Sequence, residues 1–296
     1  MTSLPRYIAE EIATDHVDGL LTRREAIRRL ALLGLGTGAA AALIAACDER
    51  KPRHAGSGEG LATVPGERQA LPVEPITWKG PRGELQGVWS QAHNARRGVL
   101  VVHENKGLTD WAQSVAGRFA GAGYSALAID LLSEEGGTVQ FNDPAQATAA
   151  LAKAPRDRFL ADLNSGVDEL QARVPGSKIA VVGFCFGGGL VWQMLASGTP
   201  RLSAAVPFYG PLPDNPDFSG SKRSAVLAFY GALDKRVTDS QPAAEAALDR
   251  AGLIHDIVIE PDADHAFFND SGPRYNATAA EDAWRRVLEW FGRYLS

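Results

Sequence analysis

The stretch Ile179 to Gly189, reading Ile-Ala-Val-Val-Gly-Phe-Cys-Phe-Gly-Gly-Gly, constrains this chain more than any other. An aliphatic run, Ile179 to Val182, ends at Gly183; Cys185 follows, and Gly187 to Gly189 lead into a helical pattern through Leu190, Trp192 and Met194. A strand that turns abruptly into a helix around a nucleophile needs glycines two residues before and two after it, because the corner leaves no room for side chains. The stretch therefore reads as a nucleophile elbow with cysteine in the place of serine. The helix starting near Phe186 adds partial positive charge beneath the sulfur, which favours thiolate. A buried structural cysteine on a glycine-rich turn is the competing reading. The rest of the chain has to supply the partners that decide between them.

A chain of 296 residues, 45% of them hydrophobic, is long enough for one large α/β domain with additional segments. The net charge of -5, with no basic stripe outside the N-terminal arm, argues against a nucleic-acid partner. Two cysteines, Cys47 and Cys185, are too few for a disulfide framework or a zinc site built from paired cysteines. His103-Glu104-Asn105-Lys106-Gly107 starts like a metalloprotease helix but lacks the second histidine. No metal and no cofactor are expected.

Residues 1–47 differ in character from the rest of the chain. Arg23-Arg24 precede an uncharged Leu/Ala/Gly stretch, Leu30 to Ala46, which ends in Ile44-Ala45-Ala46-Cys47. Paired arginines before a weakly hydrophobic run resemble a twin-arginine export signal, and the last four residues resemble a lipobox, in which Cys47 is lipidated and becomes the mature N-terminus. The expectation is an exported protein, lipid-anchored on the outer face of a bacterial cytoplasmic membrane. The alternatives are a periplasmic or secreted protein, an uncleaved anchor, although the run is short and glycine-rich for one, and an ordinary amphipathic helix, against which the unbroken Ala-rich run speaks. Residues 48–72, charged and bearing Gly, Pro and Ser without apolar periodicity, read as a flexible tether. The folded domain is expected over 73–296.

Within that domain, Ile76 to Trp78 and Leu85 to Trp89, separated by Gly80-Pro81-Arg82-Gly83, predict an antiparallel hairpin. From Gly98 strands and helices alternate. Val99 to His103, Tyr124 to Ile129, the elbow strand, Ala204 to Tyr209, Ala225 to Tyr230 and Ile257 to Ile259 read as strands. Helices are predicted after Thr109, over Pro144 to Val174 with a break around Pro155, over Gln241 to Ala251 and over Thr278 to Tyr294. Such alternation means a mostly parallel α/β sheet with helices on both faces.

Reactive groups of such a sheet belong at the carboxyl ends of its strands. Asp234 follows one predicted strand in Tyr-Gly-Ala-Leu-Asp, and His265 follows the next in Asp-Ala-Asp-His-Ala-Phe-Phe. With Cys185 they give the chain order nucleophile, acid, histidine, which is the α/β-hydrolase order. His265 can accept the thiol proton and later protonate a leaving group, while Asp234 fixes the imidazole tautomer. Asp262 and Asp264 compete with Asp234 for that role but stand too near His265 in sequence to need a long-range arrangement. Glu104, after the first core strand, falls on the same rim as Cys185. The oxyanion hole of such a site is backbone, here the N–H groups of Phe186 and Asn105.

The cysteine elbow, His-Glu-x-x-Gly, Gly-x-x-Asp and Asp-His-x-Phe together resemble dienelactone hydrolases, also called carboxymethylenebutenolidases, over roughly Val73 to Ser296. The resemblance implies the α/β-hydrolase fold, an ester or lactone substrate and a cysteinyl-acyl intermediate. It also implies that Glu104 contacts the thiol at rest and moves when substrate arrives. In that family arginines hold the substrate carboxylate, one of them just after the catalytic histidine; here Asn269 falls at that point, and 138–152 contains no arginine. Arg156, Arg158 and Arg274 are candidates to substitute, although the ordinary reading of each is solvated surface. A weak preference for carboxylated over neutral substrates is therefore expected, within about tenfold. The chain is expected to be a monomer. The alternatives are a membrane-tethered lipoprotein that only binds a small molecule in the same cleft, and a thiol redox protein, which would lack a resolving cysteine near Cys185.

Overall fold

The computed structural model describes residues 4–48, 64–93 and 97–296. Its sheet has eight strands: β1 (Glu74–Lys79), β2 (Glu84–Ser90), β3 (Arg97–Val102), β4 (Ser125–Asp130), β5 (Lys178–Phe184), β6 (Leu202–Phe208), β7 (Ala225–Gly231) and β8 (His255–Glu260). The order across the sheet is β1-β2-β4-β3-β5-β6-β7-β8. The hairpin lies where the Gly-Pro-Arg-Gly turn predicts it, with β1 antiparallel to β2 and Lys79 opposite Glu84. β2 then joins the rest of the sheet antiparallel to β4, and all further pairings are parallel. β4 is buried at every position and β5 at every position after Lys178. Strands so buried on both faces require helices above and below.

The helices are α1 (Leu4–Val17), α2 (Arg23–Leu32), α3 (Thr37–Asp48), α4 (Asp110–Gly121), α5 (Pro144–Lys153), α6 (Arg156–Arg173), α7 (Phe186–Ser197), the single turn α8 (Lys235–Thr238), α9 (Gln241–Ala251) and α10 (Ala277–Tyr294). Their starts follow local chemistry. The Asp143 side chain accepts from Ala145 N–H with Pro144 in the first turn, and Asn276 accepts from Ala279 N–H at the head of α10. The predicted break at Pro155 separates α5 from α6, since Ala154 before the proline is held extended. Phe159, Leu163, Val167 and Leu170 of α6 are fully buried, one face as their spacing requires.

The segment 1–47, expected as an export signal, forms α1, α2 and α3 over its described part, and these helices pack on one another and on the sheet domain. Leu4, Tyr7, Ile8 and Ile12 of α1 are buried, and Arg28 of α2 pairs with Asp143 at 2.8 Å. No helix among the described residues is long and apolar enough to cross a membrane. Of the expected tether 48–72, residues 49–63 lie outside the described residues. Its later part lies against the domain: Leu71 N–H donates to the Gly117 carbonyl at 3.0 Å. The smooth face that Gly117 and Gly121 give α4 admits that contact, since a Cβ on Gly121 would sit 1.8 Å from the Gln69 carbonyl oxygen.

Candidate active site

β5 is flanked by β3 and β6, and at its carboxyl end the chain turns directly into α7. Cys185, the corner residue, has φ 55° and ψ -116°, a conformation that costs a non-glycine residue about 1–3 kcal/mol and persists only where the surroundings enforce it. Here the enforcement is close packing. A Cβ on Gly183 would lie 2.3 Å from the Gly187 carbonyl oxygen, and one on Gly187 would lie 2.4 Å from that of Val102. The glycines two before and two after Cys185 are therefore the condition for the corner. Cys185 N–H donates to the Phe208 carbonyl at 3.0 Å, which ties the corner to β6. Phe186 opens α7, where first-turn N–H groups have no partner within the helix and face the corner.

Asp234 follows β7 and His265 follows β8, both on the rim that carries Cys185. His265 Nδ1 donates to Asp234 Oδ2 at 2.6 Å, with the two side chains only 3% and 4% exposed. This leaves Nε2 for the thiol side. A ring nitrogen of His265 and Cys185 Sγ lie within 4.8 Å of each other. Burial disfavours an imidazolium here, but the charge of Asp234 and its hydrogen bond outweigh burial and raise the His265 pKa. Burial likewise opposes ionisation of Asp234, yet His265 more than compensates, and the carboxyl is held below its ordinary range. Neither competing aspartate reaches the imidazole from within its own loop. Asp264 accepts from the His265 backbone N–H at 2.7 Å, and the Asp262 carbonyl accepts from Asn276.

Glu104 and Asn105 follow β3. The loop is braced by His103, whose Nε2 accepts from Leu131 N–H at 3.1 Å, so that Nδ1–H donates to the Glu104 carbonyl at 2.6 Å. The motif that resembled a metalloprotease start is thus a structural bracket. Glu104 accepts from Asn269 Nδ2 at 2.8 Å and from Tyr209 Oη at 3.4 Å. Burial raises its pKa, partly offset by Lys106 and Asn269. Asn269, read in the sequence only as a missing arginine, therefore has a task of its own: it orients the loop glutamate. The Asn105 carbonyl accepts from Thr148 Oγ1 at 2.9 Å, which ties that loop to α5.

Among the described residues, the carboxylate within hydrogen-bond reach of the thiol is Glu11 of α1, with Cys185 Sγ 3.3 Å from Oε2. Tyr7, one turn earlier, places its hydroxyl 3.4 Å from Sγ and 3.3 Å from His265 Nε2. Burial, followed by the negative charges of Glu11 and Glu104, pushes the Cys185 pKa well above the ordinary thiol range. That shift opposes the thiolate which the helix N-terminus beneath the sulfur favours. Glu11, Cys185 and His265 also present ligand atoms within 4.8 Å of one another, a spacing that could hold a divalent cation.

Two of the three arginines read as solvated surface are nothing of the kind. Arg158 is buried against Glu135 at 2.6 Å, with Glu134 and Asp162 nearby. Arg274, 13% exposed, pairs with Asp15 of α1 at 2.9 Å and with Asp18, just after that helix, at 2.6 Å, and approaches Asp264 at 3.7 Å. Arg236, two residues after Asp234, lies over the Tyr7 ring at 4.4 Å. The rim thus carries Arg236 and Arg274, engaged here by Tyr7, Asp15 and Asp18. Sequence reasoning missed Tyr7, Glu11, Arg236 and Tyr209. For α1 a signal existed: Leu4, Ile8 and Ile12 recur at helical spacing ahead of the paired arginines.

Residues 85–295 match the model of the dienelactone hydrolase family. A candidate carboxymethylenebutenolidase from Escherichia coli O157:H7 is 36% identical over 209 residues, 66% of this chain and 76% of that protein. One from Salmonella typhimurium is 32% identical over 248 residues, 79% of this chain and 87% of that protein. Among solved structures, a dienelactone hydrolase-like promiscuous phosphotriesterase from metagenomic libraries superposes with a TM-score of 0.67 at 28% identity, covering 77% of this chain and all of that one. A match over most of the chain, with an eight-stranded sheet of the same architecture, places this protein in the dienelactone hydrolase family.

Proposed function

We propose that this protein hydrolyses an ester or a lactone through a Cys185-His265-Asp234 triad and a cysteinyl-acyl intermediate. The observation that carries the reading is His265, whose Nδ1 is fixed by Asp234 at 2.6 Å and which has a ring nitrogen within 4.8 Å of the elbow cysteine's sulfur. In the first half-reaction His265 Nε2 takes the thiol proton and sulfur attacks the carbonyl carbon. The resulting oxyanion is received by the backbone N–H groups of Phe186 and Asn105, and the C–O bond to the leaving alcohol breaks as His265 returns the proton to it. In the second, water attacks the thioester, His265 accepts its proton, and the thiol is regenerated with release of the acid. The family resemblance implies that Glu104 contacts the thiol at rest and moves when substrate arrives; the hydrogen bonds that hold its carboxylate here come from Asn269 and Tyr209. The test is turnover of a chromogenic aryl ester and a panel of lactones by the intact chain and by Cys185→Ala. Hydrolysis by the first alone supports the reading, and equal rates refute it.

We also propose that the N-terminal segment directs export and that Cys47 is lipidated, supported by Arg23-Arg24, the uncharged run Leu30 to Ala46 and Ile44-Ala45-Ala46-Cys47. Cys47→Ala is expected to move the protein from the membrane to the soluble fraction of a bacterial host. Retention of that variant in the membrane with its first residues intact would instead identify an uncleaved anchor.

A further inference from the structure

The catalytic rim is covered by a part of the same chain. The Tyr7 hydroxyl lies between the nucleophile and the base, 3.4 Å from Cys185 Sγ and 3.3 Å from His265 Nε2. A carbonyl poised for attack must stand about 3–3.5 Å from the sulfur, so Tyr7 and Glu11 occupy the ground a substrate needs. The seat is built on both sides. Arg236 lies over the Tyr7 ring and reaches the Tyr7 carbonyl at 3.5 Å, and Arg274 holds Asp15 and Asp18. Tyr7 is 1% exposed, Cys185 1% and His265 2%, which closes the reacting atoms to solvent.

We propose that α1 is an intramolecular inhibitor of the active site, seated through Tyr7, Glu11, Asp15 and Asp18, and that turnover requires its departure. The proposal rests on Cys185 and His265 being the reacting pair. Substrate and α1 compete for one volume, so the chain is active only in the fraction of time that α1 is unseated. The whole of α1 precedes Cys47. Cleavage at Cys47, the step that lipidation of that residue requires, would separate the inhibitor from the domain, so that the intact chain turns over slowly, in its unseated fraction, and the processed one at the full rate.

The test uses the full chain and two paired variants, Tyr7→Ala with Glu11→Ala, and Asp15→Asn with Asp18→Asn. The second pair leaves the immediate surroundings of the sulfur unchanged and loosens only the hold of Arg274. Two rates are measured for each: alkylation of Cys185 by iodoacetamide, read by peptide mass spectrometry, and hydrolysis of a small aryl ester. Both variants are expected to raise both rates about tenfold or more, and the aspartate pair is expected to raise the two by a similar factor, because each rate scales with the unseated fraction. Alkylation unchanged in both variants overturns the proposal, as does a fall in ester hydrolysis, which would make Tyr7 or Glu11 a participant in the reaction. Faster alkylation of a chain that hydrolyses no ester supports the inhibitor and refutes the hydrolase reading instead.

Discussion

Replacement of Cys185 by alanine is expected to lower kcat for an aryl ester by about 10³- to 10⁶-fold, leaving whatever the oxyanion hole and binding alone provide. The expectation follows from the corner itself. The backbone of Cys185 is held at φ 55° by contacts of Gly183 and Gly187 with neighbouring carbonyls, none of which involve the sulfur. Alanine should therefore preserve the fold and the N–H of Phe186 while removing the only nucleophile at the corner. Cys185→Ser retains a nucleophile of much lower acidity whose proton must be taken entirely by His265, and it should also lose most activity. The measurement is steady-state kinetics at matched protein concentration with far-ultraviolet circular dichroism as the folding control. Alanine activity within tenfold of wild type would place the nucleophile elsewhere.

Asp234→Asn is expected to lower kcat by about 10²- to 10⁴-fold with little change in KM. Asp234 accepts from His265 Nδ1, which keeps the acceptor nitrogen, Nε2, toward the thiol. An asparagine at this distance can donate to Nδ1, which favours the opposite tautomer and presents a hydrogen where a lone pair is needed. It also removes the negative charge that outweighs burial and raises the His265 pKa. With burial left dominant, the histidine pKa in the variant should fall, and any limb of the pH profile governed by His265 should move to lower pH. An unmoved profile with full kcat would mean that Asp234 has no part in orienting the base.

Asp234→Asn also bears on stability, and linkage sets the sign. The folded-state pKa of Asp234 is depressed, so its ionisation contributes stability that is present above the unfolded carboxyl pKa and lost as pH falls through the folded value. His265 works in the opposite sense. Its raised pKa contributes below the unfolded histidine value and is lost as pH climbs through the folded one.

The sheet and the meeting of Cys185, Asp234 and His265 at its rim are legible because both are written locally. Buried parallel strands are short aliphatic runs, and β3, β4, β5, β6 and β7 lie where such runs occur. A residue just after a strand has few places to go, so Cys185, Asp234 and His265 arrive at one rim once the strands are parallel. Their chain order then distinguishes the arrangement from other nucleophile-histidine pairings.

What escaped the sequence depends on docking between distant segments. The paired arginines and the Ala-rich run before Cys47 carry a strong address-like pattern, and that pattern hides the amphipathic turn in front of it. Nothing local to Tyr7 or Glu11 announces that they meet Cys185 across more than 170 positions of chain. Arg236 and Arg274 look like ordinary surface cations until α1 arrives with Tyr7, Asp15 and Asp18 to cover them. Asn269 is a similar case. Its position relative to His265 shows what is missing, but only the bond to Glu104 shows what is there.

The step on which the proposed chemistry turns is formation of a covalent bond between a carbonyl carbon and the sulfur of Cys185. The most direct test is mass spectrometry of the intact protein quenched in acid during turnover of an activated ester, with peptide mapping to locate any adduct. The expected result is an adduct of the acyl mass on the peptide carrying Cys185, sensitive to hydroxylamine, absent from Cys185→Ala and accumulating in an Asp234→Asn variant slowed in deacylation. Turnover by wild type with an acyl adduct on another residue, or with none in a variant whose deacylation is shown to be rate-limiting, would contradict it.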